Sequence, residues 1–183
     1  MPALEVIILE QRVWCARYTF FNSNNLINPK CDMNSHLSIV PGQLKDIFVD
    51  SIVVTAAHYE QPYDHVHHSN IIRLLELSRN RFLEHHGESF QKWYDLGVAM
   101  VISSISVQYL REIREGNYGV RVAVTGFTDR VCGFAQEIVN SKNKVAVRAG
   151  VEVAFMSLKE RRGVRCPEEL KAAIPVQSTV LGL

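Results

Sequence analysis

At 183 residues and 20.8 kDa, the chain is long enough for one domain with its own apolar core, alone or as a subunit. Apolar residues make up 47% of it and the mean hydropathy is -0.01, which excludes a disordered chain. No apolar run approaches the ~20 residues that span a bilayer, and a net charge of +1 argues against a nucleic-acid-binding surface.

Met1–Asp46 reads as an irregular extension, with turn residues in "NSNNLINPK" and "VPGQLK". Its apolar run Leu4–Leu9 is too short for a signal-peptide core and contains a glutamate, so organellar targeting is the alternative to a plain extension. Ile47–His58, rich in β-branched residues, predicts a strand. Ser69–His86 predicts a helix: Ile71, Leu74, Leu75, Ser78 and Phe82 share one face, and Arg73, Glu76, Asn80 and Glu84 lie across from it. Ser69 is the expected N-cap and Gly87 the left-handed residue past the end, with His85 and His86 at the negative end of the dipole.

Four strands are predicted next. Val98–Leu110 alternates, with Val101, Ile105, Val107 and Tyr109 on one face. Tyr118–Thr128 follows, then Gly133–Asn140 and Val145–Ser157, joined by a turn at "SKNK". Pro167 and Glu168 open a short closing helix. Strand, long helix, four strands predicts an α+β domain over 47–175, its mainly antiparallel sheet facing one long helix, with 176–183 as a tail. Cys15, Cys31, Cys132 and Cys166 form no CxxC pair, so they read as free thiols in a reducing compartment.

The polar chemistry concentrates in "PYDHVHHSNIIRLLELSRNRFLEHHG", Pro62–Gly87, where His65, His67 and His68 crowd with Asp64 before the helix. His65 and His67 share one side of an extended segment, as zinc ligands would. No third ligand of known spacing and no HExxH appears, so no metal and no cofactor is expected. Asp64 is either a base or a turn residue, and His68 either orients water or packs in the loop. Glu76 is either a base or the ion-pair partner of Arg73 or Arg79.

These residues and their order resemble the hotdog-fold acyl-CoA thioesterases, the YbgC and 4-hydroxybenzoyl-CoA thioesterase branch in particular. That branch carries an Asp-containing loop, a pattern like G-H/V-V-N/Y-H/N-x-x-Y and a helix with E-x-A-R; "DHVHHSNI" (Asp64–Ile71) and "ELSR" (Glu76–Arg79) occupy those places. "SISVQYLREIREGN" (Ser104–Asn117) and "SLKERRGVRCPEELKAAIP" (Ser157–Pro175) are similar to the family's later segments. The resemblance spans about Ile47–Pro175 and leaves Met1–Asp46 without a counterpart. It implies an antiparallel sheet wrapped around one long central helix, and hydrolysis of an acyl-CoA or acyl-carrier-protein thioester in fatty-acid or lipid metabolism. It also implies a homodimer or homotetramer in the cytoplasm.

By the same resemblance, the first turn, Val66, His67, Ser69 and Asn70, would bind the thioester, its free amides and positive dipole end facing the developing oxyanion. Gln61, Asp64 and His68 would handle water, with Glu76 in reserve. The chain departs from the family where Gln61 replaces the catalytic aspartate, where Asp64 replaces a glycine, and where Glu112 replaces a proline. A neutral amide cannot take a proton from water. The alternative is therefore a non-catalytic hotdog acyl-binding or assembly protein that has lost the catalytic aspartate. A hydratase or dehydratase of the same fold is a third reading, without its His/Asp constellation here.

Overall fold

A computed structural model of the protein describes residues 47–177. The extension 1–46 with its targeting reading, Cys15 and Cys31, and residues 178–183 of the tail lie outside the described residues. The elements are β1 (Phe48–Val54), a 3-10 turn (Ala56–His58), α1 (His68–His85), α2 (Phe90–Asp95), β2 (Val98–Tyr109), β3 (Gly116–Phe127), β4 (Val131–Val139), β5 (Val145–Ser157), β6 (Gly163–Val164) and α3 (Glu168–Ala173). The sheet is antiparallel in the order β1-β3-β4-β5-β2, with β6 beside β5. This is the α+β arrangement that the element order predicts and the hotdog fold that the resemblance implies.

Alternation decides what the sheet shows to α1. Val120, Val122 and Val124 of β3, Phe134 and Ile138 of β4, and Val147, Val151 and Val153 of β5 are buried in one cluster with Ile71, Leu74, Leu75, Phe82 and Leu83 of α1. At ~1.5 Å per residue the 18 residues of α1 run about 27 Å, enough to lie across the strands. Ser78 and Arg81 tie the helix to β1, donating to the Asp50 carboxylate at 2.7 Å and at 2.9 and 3.0 Å.

Four expectations need correction. The first strand ends at Val54, because Thr55 caps the 3-10 turn that follows. The long helix begins one residue earlier than expected, and its N-cap is His67 rather than Ser69. A second helix, α2, was not predicted; its six residues are too few for periodicity to register, although Ser89 caps it by accepting from the Lys92 amide at 3.1 Å. Finally, Val101 does not share a face with Ile105: a bulge between Ile102 and Ser104 switches parity, so Val98, Met100 and Ile102 face the core before it and Val107 after it.

Candidate active site

The segment between β1 and α1 folds back on itself. An antiparallel bridge joins Tyr59 to Val66, and the Tyr63 amide donates to the Glu60 carbonyl at 2.7 Å. The β2–β3 connection holds this loop from outside: the Val66 amide donates to the Ile113 carbonyl at 2.9 Å, the Ala56 amide to a Glu115 carboxylate oxygen at 2.6 Å, and the Glu115 amide to the Tyr59 hydroxyl at 2.6 Å. Val66 is buried and plugs the loop into the core, which places the following residues at the head of α1.

There His67 caps the helix. Its Nδ1 accepts from the Ser69 amide at 3.2 Å and lies 2.6 Å from Ser69 Oγ, while its carbonyl takes the Asn70 and Ile71 amides at 3.0 and 3.2 Å. Asn70 Nδ2 donates to the His58 carbonyl at 2.9 Å, so this side chain fixes the turn. The His68 amide has no acceptor among the described residues and sits at the positive end of the dipole. The exposed His68 ring stacks obliquely on His67, centroids 4.1 Å apart.

The structure brings Gln61, Asp64, Val66, His67, His68, Ser69 and Asn70 together in this loop and first turn. Gln61 is exposed. Asp64 is also exposed and forms an ion pair with Arg114 at 2.7 Å. Arg114 bridges on to Glu112 at 3.1 Å; its hydrogen bond to Glu112 and then the charge of Asp64 raise its pKa. Glu76 is exposed and stands apart, eight residues or about 12 Å along the helix from His68.

Glu76 makes no ion pair among the described residues, with Arg73 or with Arg79. The buried Arg79 guanidinium instead donates to Gln136 Oε1 at 2.7 Å, and Gln136 Nε2 donates to the Leu75 carbonyl at 2.8 Å. Burial lowers the Arg79 pKa, and the Glu76 charge opposes that shift. His86 is the C-cap of α1 and His85 its last residue, both at the negative end of the dipole. Burial, and then the neighbouring His85, lower the His86 pKa, and its ring meets the edge of Phe82, 4.7 Å away between centroids.

Sequence reasoning missed Glu60. Its Oε2 lies 3.3 Å from His67 Nε2, a contact across seven residues that exists only because the Tyr59–Val66 bridge folds the loop back. Glutamate next to Gln61 was the available signal. Among the described residues no group of three or more His, Cys, Asp and Glu side chains could hold a metal ion, and no helix is long and apolar enough to cross a membrane. A cleft of about 330 Å³ between β1, β3 and the Asn140–Ser141 turn shares no residue with the loop and offers no ionisable carboxylate or imidazole.

A protein-family model described as the thioesterase-like superfamily matches residues 48–174. Solved structures similar in fold include a hypothetical protein from Staphylococcus aureus in complex with CoA (TM-score 0.66, 19% identity, 71% of this chain and 82% of that one). Others are the DHNA-CoA thioesterase of Staphylococcus aureus (0.65, 17%, 69% and 87%) and a 1,4-dihydroxy-2-naphthoyl-CoA thioesterase from Synechocystis (0.65, 17%, 70% and 96%). No curated protein sequence matches the chain.

Proposed function

Because this chain belongs to the thioesterase-like superfamily, we propose that it hydrolyses an acyl-CoA or acyl-carrier-protein thioester to the free acid and thiol. The observation that carries the reading is the head of α1, where the His68 amide, without an acceptor among the described residues, meets the dipole of an 18-residue helix beside a loop rich in polar side chains. A thioester carbonyl seated there would place its developing negative charge on that amide. Val66, His67, Ser69 and Asn70 shape the seat, and Gln61 and His68 hold the attacking water by hydrogen bonds. A carboxylate takes its proton: the motif offers Asp64 in the loop and Glu76, farther along α1. Two of the fold neighbours are thioesterases of an aromatic CoA ester, which makes CoA thioesters the first substrates to try.

The protein is further proposed to work as a homodimer or homotetramer in the cytoplasm. β2 ends the sheet with one long edge unpaired among the described residues, and Ile105 and Tyr109 on it are exposed. A second reading, a non-catalytic acyl-binding protein, is favoured by Gln61 alone. Free-thiol release from short, long and aromatic acyl-CoAs and from acyl-carrier proteins separates the two. Turnover with any of them supports hydrolysis; binding without turnover supports the second reading.

A further inference from the structure

We propose that Glu60 is the carboxylate that takes the proton from the attacking water, with His67 as the residue that positions it. The inference rests on the thioesterase reading and names the base that reading leaves to a choice of carboxylates.

The carboxylates around the loop can be sorted by what holds them. Asp64 faces the Arg114 guanidinium at 2.7 Å, and Glu112 shares the same cation at 3.1 Å. Glu115 is occupied by the Ala56 amide at 2.6 Å. Glu76 stands more than two turns along α1 from the free His68 amide. Glu60 differs from all four. Its one side-chain contact among the described residues is the His67 imidazole, so one oxygen stays free and no guanidinium competes for its charge.

The tautomer of His67 follows from the capping geometry. Nδ1 accepts the Ser69 amide proton, so it carries a lone pair and the ring proton is on Nε2. Nε2 lies 3.3 Å from Glu60 Oε2, within ion-pair distance. The residue that caps the helix is therefore also the one beside the carboxylate, which keeps the base near the end of α1 where the carbonyl would sit.

The step balances without a further reactant. Glu60 Oε1 accepts one water proton as the water oxygen bonds to the thioester carbon, and the carbonyl electron pair moves to the oxygen held at the His68 amide. Collapse breaks the carbon–sulfur bond, and the leaving thiolate takes the proton from Glu60. The free acid and thiol leave, and the carboxylate is restored.

The test uses the full-length protein and the thioester it turns over fastest, with kcat and KM measured across pH. Glu60→Gln should lower kcat by about 100-fold or more with KM within about threefold, and should remove the acidic limb of the pH–rate profile. Asp64→Asn should cost at least about tenfold less than Glu60→Gln. His67→Ala should lower kcat by about tenfold, and His67→Gln, which keeps a donor, should recover most of that loss. Melting curves confirm that each variant is folded. Glu60→Gln with kcat within about threefold of wild type overturns the proposal, as does a larger loss in Asp64→Asn. So does an acyl group found by mass spectrometry on Ser69, since the His67 relay would then serve a covalent nucleophile. Wild-type protein that turns over no thioester overturns the thioesterase reading and this proposal with it.

Discussion

Glu137 has no exposed surface and meets Arg121 at 3.3 Å and Arg148 at 3.0 Å, three side chains that the register sets side by side on β3, β4 and β5. Removing the central carboxylate leaves a nearly buried cation without its partner, so Glu137→Ala should destabilise the fold by about 3–5 kcal/mol in urea unfolding. A loss under about 1 kcal/mol would mean that the ion pairs contribute little. Two buried thiols give stability a pH dependence. Burial pushes Cys166 from its ordinary value near 9 to about 11 and Cys132 further still. Native thiols thus keep protons that the unfolded chain releases, and stability falls as pH rises above about 9, by at most ~1.4 kcal/mol per pH unit for each thiol. Between pH 9 and 10.5 the wild type should lose more stability than a Cys132→Ala/Cys166→Ala variant; parallel curves would contradict this. At this scale the sequence is least legible. Arg79 reads as the partner of Glu76 three positions away, but α1 turns it inward to Gln136, 57 residues on. Glu60 and His67 meet through a loop closure that no local spacing reveals.

At the scale of elements, α1 and the long strands were legible because each repeats its period over many residues. The helix end was readable too. Gly87 follows the C-cap His86 at φ +72, and a Cβ there would meet nothing within 4 Å. Gly87→Ala should therefore cost only the backbone term, about 1 kcal/mol in thermal or chemical unfolding. A neutral substitution would show that the helix end relaxes. The helix start was not readable to the residue. Serine is the commoner cap, and histidine takes the position only because the Val66–Ile113 and His67–His58 backbone bonds fix the chain direction before it. The parity switch in β2 was hidden for a related reason. Ser103 and Ser104 fit either face of a strand, so composition alone does not locate the bulge.

For the whole molecule, element order was enough for an α+β domain, and the resemblance carried by the motif loop implied the hotdog fold and the thioesterase family that the match over residues 48–174 shows. Assembly and substrate depend on surfaces that one chain does not pair. If β2 joins two copies edge to edge, Ile105→Asp should shift the protein toward the 20.8 kDa monomer in light scattering. An unchanged oligomer would place the interface elsewhere. The central claim is tested most directly by free-thiol release from a panel of acyl-CoA and acyl-carrier-protein thioesters with the wild-type chain. The account predicts turnover well above the uncatalysed rate with at least one of them; release no faster than background from every one would contradict it.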